Sequence, residues 1–262
     1  MKIAHISDIH FFVPSFKVSH LFTNEWLGNL NVYYSRRNFF ITENLDAFIS
    51  SLLKEKIDVL VITGDFTSTA NGKEFALAKE FIQKVLDSGI KVFGLPGNHD
   101  MYTKKSVRHR TFYHCLDNLP IFSHGHLHFE TLTDSWNIIL LDTTMHNKIG
   151  RANGHFTLDH EKTLHHLLDK SSNVIVANHF PLEDKSKTHH LIRDKHLHHL
   201  LRDSKKQVLY LHGHTHNTSY HQETDRFHVF NSSESTVTEK FHYHLIDLTK
   251  DQFSHRVVKY YE

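Results

Sequence analysis

The chain of 262 residues has one cysteine, four prolines and ten glycines. Cys115 stands alone, so no internal disulfide can staple the fold, which fits a reducing compartment. No apolar run approaches the roughly 20 residues that cross a bilayer. The first residues, Met1-Lys2-Ile3-Ala4-His5-Ile6-Ser7-Asp8, contain no long apolar stretch of the signal-peptide kind. No Gly/Ser/Pro-rich linker or internal repeat divides the sequence, so one domain over residues 1–262 is expected. The formal net charge of +1 supplies no overall field to gather nucleic acid or anionic lipid, so no nucleic-acid partner is expected. These absences point to a cytosolic, soluble protein. They leave open contact with the inner face of a membrane, and they leave open the oligomeric state.

What is present is a composition 39% hydrophobic and 12% aromatic, enough for a sizeable core, together with 28 histidines. Short apolar runs end repeatedly in polar residues. Lys2 to Ile6 stops at Ser7-Asp8, Asp58 to Thr63 at Gly64-Asp65, and Ile90 to Leu95 at Pro96-Gly97-Asn98. Trp136 to Leu141 stops at Asp142, Asn173 to Ala177 at Asn178-His179, and Gln207 to Leu211 at His212-Gly213-His214. Such runs suit strands buried on both faces. Helical period fills the gaps. Thr42 to Lys56 aligns Leu45, Phe48, Ile49, Leu52 and Leu53, and Lys73 to Asp87 aligns Phe75, Ala78, Phe81, Ile82 and Val85. Asn71-Gly72 and Ser88-Gly89 bracket the second helix, and Asp159 to Leu168 and Leu191 to Leu201 are two more candidates. The tail, Phe227 to Asn231, Phe241 to Leu248 and Phe253 to Tyr261, reads as consecutive antiparallel strands. Strand and helix alternate, which predicts an α/β fold with partly parallel sheets. An aromatic segment at about 11–37 fits neither period and reads as an insertion over the first loop.

Five polar clusters directly follow strands: Asp8-Ile9-His10, Gly64-Asp65, Gly97-Asn98-His99-Asp100, Asn178-His179 and Gly213-His214-Thr215-His216. Ligands of open α/β sheets bind outside the carboxyl ends of strands, so parallel strands would bring all five to one crevice. Asp8-Ile9-His10, Gly64-Asp65 and His179 are weak signals alone, Gly213-His214-Thr215-His216 is a moderate one and Gly97-Asn98-His99-Asp100 a stronger one, whereas five in order at strand ends is strong. Asp8, His10, Asp65, Asn98, His179, His214 and His216 supply oxygen and nitrogen donors without a thiolate. That set suits manganese, iron, zinc or nickel better than calcium. Seven donors exceed the needs of one ion, and a carboxylate can bridge two.

These blocks resemble the five signature blocks of calcineurin-like metallophosphoesterases, across Asp8 to His216. The resemblance implies a four-layer αββα sandwich of mixed β-sheets with the metal site at the strand C-terminal ends. It implies two divalent metal ions, manganese first in preference. Asp8, His10, Asp65 and His216 would hold one ion and Asp65, Asn98, His179 and His214 the other, with Asp65 as the bridge. His99 would contact the phosphate and assist the leaving oxygen, with Asp100 orienting it. The implied reaction is in-line attack on phosphorus by a metal-bridging hydroxide.

Protein serine/threonine phosphatases resemble Gly-Asp-x-Val-Asp-Arg-Gly at the second block and end the third in Glu. This chain has Gly64-Asp65-Phe66-Thr67-Ser68-Thr69-Ala70 and Asp100, so a protein phosphatase is not expected. Cyclic-nucleotide phosphodiesterases share Gly-Asn-His-Asp and Gly-His-Thr-His. The chlamydial-type UDP-2,3-diacylglucosamine pyrophosphatases of lipid A synthesis are similar at three places. These are Trp26-Leu27-Gly28-Asn29-Leu30-Asn31 with Arg36-Arg37, the Gly64 to Ala70 block, and Asn98-His99-Asp100-Met101-Tyr102-Thr103. The expected substrate is therefore a small-molecule or lipid-linked phosphodiester or pyrophosphate. A catalytically silent scaffold with the same fold is the alternative of another kind.

Phe11, Phe12, Phe16, Leu21, Phe22, Trp26 and Leu27 would give acyl chains an apolar lip, or would simply pack the insertion onto the core. Arg36, Arg37, Lys104, Lys105, Arg108 and Arg110 would grip a second phosphate, or would form a solvated face. Arg151 and Asn153 follow the Trp136 strand and are candidates to line the crevice. His5 is placed to orient a ligand from behind. His212 and the dense set from His189 to His199 are read as packing and surface residues, with a weak accessory metal site as the other reading of that set.

Overall fold

The structure, a computed structural model, describes residues 1–13, 44–101, 103–122, 126–148, 150–183, 186–233 and 242–260. In chain order these form β1 (Lys2–Ile6), α1 (Leu45–Glu55), β2 (Val59–Ile62), α2 (Gly72–Asp87) and β3 (Lys91–Gly94). Two short helices follow, α3 (Lys104–Arg108) and α4 (Thr111–Cys115), then β4 (Leu127–Thr133), β5 (Trp136–Leu141) and β6 (Gly154–His155). Next come α5 (Leu158–Lys170), β7 (Asn173–Ala177), β8 (Leu191–Ile192), α6 (Asp194–Arg202) and β9 (Val208–His212). The chain ends in β10 (Ser219–Gln222), β11 (Phe227–Asn231), β12 (His242–Leu248) and β13 (Phe253–Lys259).

Two mixed sheets carry the fold, in the orders β13-β12-β1-β2-β3 and β10-β11-β9-β7-β5-β4. β1, β2 and β3 run parallel, as do β5, β7, β9 and β11. Side chains alternate across each strand, and in the inner strands both faces are buried. Ile3, Val59 and Val61 join Trp136, Ile138, Leu140, Ile175, Leu209 and Leu211 in a layer between the sheets. Their neighbours Ala4, Leu60 and Ile62 pack outward against Phe48, Phe75, Ile82 and Phe112 of the first helical layer. Val174, Val176, Val208 and Tyr210 pack outward against Leu164, Leu197 and Leu201 of the second. The result is helix, sheet, sheet, helix, and it accounts for the uninterrupted apolar strands.

The caps of α2 lie where the sequence placed them. Asn71 accepts from the Lys73 and Glu74 N–H groups, Glu74 reaches back to the Asn71 N–H, and Ser88 closes the helix. Three expectations are corrected. Leu191 and Ile192 do not start a helix. They pair with Gly154 and His155, and Arg193, at φ 66, turns the chain left-handed before α6 begins at Asp194. Phe227 to Asn231 does not join the tail strands. The β10 hairpin reverses the chain, so β11 lies parallel to β9 in the other sheet. Leu53 sits on the expected apolar face of α1 but is exposed. Of the two readings given for Phe11, packing holds: it is buried against Phe81, with its amide bonded to the Phe66 carbonyl at 2.8 Å. Phe16, Leu21, Phe22, Trp26, Leu27, Arg36 and Arg37 lie outside the described residues. Lys104, Lys105, Arg108 and Arg110 stand exposed on and just after α3. Among the described residues, no helix is long and apolar enough to cross a membrane.

Leu209, fully buried between the sheets, tests the layering. Leu209→Ala is expected to cost about 2–5 kcal/mol of unfolding free energy, and Leu53→Ala no more than about 0.5 kcal/mol. Urea unfolding of both variants measures the contrast, and a small loss at Leu209 would contradict face-to-face packing of the sheets.

Candidate metal centre

Three of the five strands that end in polar clusters, β1, β2 and β9, break from their sheets through left-handed backbone. Asp8 (φ 56), His10 (φ 54), Asp65 (φ 53), His214 (φ 70) and His216 (φ 54) all occupy that region. Non-glycine residues rarely adopt it, and it concentrates at functional sites. The turns are tied to one another, because the Asp8 amide donates to the Gly64 carbonyl at 3.0 Å and the His10 amide to the Asp65 carbonyl at 2.9 Å. Close approach excludes side chains at two points. A Cβ on Gly97 would lie 2.1 Å from Asp65 Oδ1, and one on Gly213 would lie 1.9 Å from Ser7 Oγ.

The seven predicted donors come together. His10 Nε2 lies 3.7 Å from Asp8 Oδ1 and 3.8 Å from Asp65 Oδ2, and His216 Nε2 lies 3.3 Å from Asp8 Oδ1. His179 Nε2 lies 3.5 Å from Asp65 Oδ2, 3.0 Å from Asn98 Oδ1 and 3.2 Å from His214 Nδ1. The His214 amide donates to Asp8 Oδ2 at 3.1 Å, which closes the circle.

Hydrogen bonds to backbone carbonyls decide which ring nitrogens face inward. His179 Nδ1 lies 2.8 Å from the Thr63 carbonyl, and His214 Nε2 lies 3.1 Å from that of His189. A carbonyl only accepts, so those nitrogens carry the protons. His179 Nε2 and His214 Nδ1 are then bare lone pairs facing each other, with Asp65 Oδ2 beside the first. Burial, ahead of all charges, holds His179 down at about 3 and His214 at about 4, so both are neutral at ordinary pH. Asp8 Oδ1 is buried and accepts no aligned hydrogen bond. Lone pairs gathered without protons to share fit a cation, and the mixed oxygen and nitrogen donors fit a divalent transition metal. Ligand atoms of Asp8, His10 and His216, and of Asp8, Asp65 and His179, each lie within 4.8 Å of one another.

Without cations the two carboxylates shift in opposite directions. Burial raises Asp8, but the His10 and His216 rings beside it outweigh burial and hold the group well below the ordinary 3.8. Asp65 is pushed well above 3.8 by burial first, then by the charges of Asp8 and Asp100.

His99 stands at the rim, half-buried, its ring edge-on to His10 at 4.9 Å. Its amide donates to Asp65 Oδ1 at 2.8 Å and its Nδ1 to the Ser68 carbonyl at 2.7 Å. It also falls within 4.8 Å of His10 and Asp65 as a third donor. The expectation that Asp100 orients the His99 ring is corrected. Its oxygens take bonds from Gly97 N, Phe66 N, Thr67 N and Thr67 Oγ1 at 2.8–3.2 Å. Asp100 therefore pins the turn that carries Asn98 and His99, and Ser68 holds the ring. Asn153 is buried, with its Oδ1 bonded to the His190 amide, which corrects its reading as a crevice residue, and Arg151 is exposed. His5 Nε2 meets Thr63 Oγ1 at 2.9 Å, behind the carbonyl that holds His179. Sequence reasoning missed the backbone oxygens of Ser68, Thr63 and His189, which any residue type supplies.

The family model of calcineurin-like phosphoesterases matches residues 1–218. The chain belongs to this family of metal-dependent phosphoesterases, which works with a dinuclear metal site. No curated protein matches the sequence significantly. Among solved structures, a dimetal phosphatase from Danio rerio aligns with a TM-score of 0.71 at 12% identity, over 100% of this chain and 96% of its own. A purple acid phosphatase from yellow lupin (Lupinus luteus) seeds aligns at 0.62 and 11% identity, over 99% of this chain and 51% of its own. GAP50, the anchor in the inner membrane complex of Plasmodium, aligns at 0.59 and 15% identity, over 99% and 84%. Likeness at these identities concerns the fold.

Because the Asp65 carboxyl titrates above its ordinary value in the metal-free fold, the stability tied to it is full below that value. It is lost as pH rises through the folded value. At neutral pH Asp65→Asn should therefore leave the chelated protein as stable as wild type or more so. Manganese should raise the melting temperature of wild type by mass action and that of Asp65→Asn far less. Equal rises in the two proteins would remove Asp65 from the cation site.

Proposed function

We propose that the chain hydrolyses a phosphodiester or pyrophosphate bond of a small-molecule or lipid-linked substrate. One observation carries the reading. His179 and His214 are locked, by carbonyls behind them, with their lone pairs turned toward each other and that of His179 toward Asp65 and Asn98. Asp8, His10, Asp65 and His216 would hold one divalent cation and Asp65, Asn98, His179 and His214 a second, manganese being the first choice. Such a pair, when bound, supplies Lewis-acid stabilisation of phosphoryl oxygens and an acidified water as nucleophile.

The chain's own groups do the rest. His99 Nδ1 keeps its proton on Ser68, so Nε2 is the atom that faces the substrate. Burial, then the neighbouring His10, holds the ring well below its ordinary 6.5, so it rests neutral. An anionic phosphate alongside favours the protonated ring, and Nε2–H can then donate to the departing oxygen. Asp100 and the Asp65 contact to the His99 amide keep that ring at the rim. UDP-2,3-diacylglucosamine is the narrower substrate suggested by Trp26 to Asn31 and Arg36-Arg37, and a cyclic nucleotide is its rival. The scaffold reading is supported by the fold likeness to GAP50, an anchor, and the complete donor set weighs against it.

Bis(p-nitrophenyl) phosphate should be hydrolysed with added manganese, and absence of turnover with every divalent metal would favour the scaffold. His99→Ala should lower turnover by about 10²–10⁴-fold while the metal content of the purified protein is unchanged. Loss of metal in that variant would make His99 a ligand. A panel of cyclic AMP, phosphomonoesters and UDP-diacylglucosamine then ranks the substrates, and a preference for monoesters would overturn the diester or pyrophosphate reading.

A further inference from the structure

His214 is the one donor of the second cation set whose outward nitrogen is held by an irregular segment. The His189 carbonyl that accepts from Nε2 belongs to the stretch before β8, and the His189 ring itself is exposed. What fixes that carbonyl is the neighbouring segment before β6. Ala152 N donates to the Thr188 carbonyl at 2.7 Å, and Gly154 N to the His190 carbonyl at 3.1 Å. Between them Asn153 Oδ1 accepts from the His190 amide at 3.2 Å. Bonds therefore reach both residues that flank His189, and Asn153 supplies the side-chain contact.

Asn153 is itself held on its backbone. Its amide donates to Asn147 Oδ1 at 3.0 Å, and its carbonyl accepts from Asn147 Nδ2 at 2.8 Å. The segment is anchored to the ligand strands as well. His155 N donates to the Thr143 carbonyl at 2.7 Å, and the Thr143 hydroxyl meets the side chain of Asn178, which precedes His179. Phe180 packs so close that a Cβ on Gly154 would lie 2.5 Å from its ring.

We infer that Asn153 is a positioning residue for the metal centre: through the His190 amide it aims the His189 carbonyl at His214 Nε2, and so turns His214 Nδ1 toward the cations. A hydrogen bond from the outer nitrogen of a ligating histidine fixes its orientation and tautomer. Here that bond comes from a backbone oxygen, whose direction depends on Asn153 and the β6–β8 pair. The inference rests on the reading of His214 as a ligand.

The test uses manganese alone, with the full chain. Asn153→Ala should weaken binding of one manganese equivalent by about 10- to 100-fold. Asn153→Asp keeps the acceptor oxygen and should restore the affinity. In the metal-free wild type, the His214 Nε2–H should appear in proton–nitrogen spectra as a proton protected from exchange. It should be lost in Asn153→Ala and kept in Asn153→Asp. Wild-type manganese affinity in Asn153→Ala, failure of Asn153→Asp to restore it, or an unprotected Nε2–H in wild type would each overturn the inference. If Asn153→Ala does not fold, the wild-type spectrum decides alone. If wild type binds no manganese, the metal-centre reading falls, and the protected proton reports separately on the positioning.

Discussion

Lone pairs held against one another are the constraint on which this structure turns. His179 Nε2 and His214 Nδ1 face each other at 3.2 Å with their protons committed elsewhere, to the carbonyls of Thr63 and His189. Asp8 and Asp65 add carboxylate oxygens to the same space. Such a cluster disfavours the metal-free fold. So does the left-handed backbone at five of the seven donors, at about 1–2 kcal/mol for each such residue. The surrounding structure has to hold these costs, and a cation has to reverse the electrostatic part.

The sandwich is built to bear that load. Asp8 and His10 follow β1, Asp65 follows β2 and Asn98 follows β3, all in the first sheet, whereas His179 follows β7 and His214 and His216 follow β9, in the second. The site therefore exists only when the two sheets are packed through the apolar layer that holds Ile3, Val61, Ile175 and Leu209. Burial between the sheets supplies the favourable free energy at some distance from the donors, and a dense web of backbone bonds at the strand ends transmits position. Asp100 belongs to that web. Its four bonds pin the Gly97 to Asp100 turn on the Phe66-Thr67 segment, and this sets where Asn98 and His99 point.

How much of this was legible in the sequence depended on which atoms do the work. Asp8, His10, Asp65, Asn98, His179, His214 and His216 act through side chains at the ends of apolar runs, and both features can be read directly. The strands buried on both faces were equally plain, because period-two alternation disappears when each face is covered. The supports were not legible. Ser68, Thr63 and His189 act through carbonyls, and a carbonyl leaves no mark on residue identity. Asn153 drew notice as a polar residue near the crevice, yet its oxygen binds a backbone amide and not a substrate. Leu191 read as the start of the helix because it adjoins the stretch that ends at Leu201, and only its pairing with Gly154 shows a separate strand. Tyr220 to Gln222 is exposed throughout and has no apolar signature, so β10 and the parallel placement of β11 escaped prediction.

The charge of the site also argues for what it binds. The described donors comprise two carboxylates, one amide and four imidazoles, and the imidazoles are neutral in the ligating form. Two divalent cations would leave the cluster about two units positive, a local field that the near-neutral chain as a whole does not possess. Anionic oxygen is the ligand such a field selects, and a tetrahedral phosphoryl group offers several such oxygens at once. On α3, Lys104, Lys105 and Arg108 are exposed. The attraction of the loaded site for anions would come from the shortage of negative charge among its buried donors. A third buried carboxylate stands close by at Asp100, but its oxygens are taken up by three amides and a hydroxyl, so it holds the backbone as no donor to a cation, and only its field reaches Asp65 and lessens the excess of positive charge.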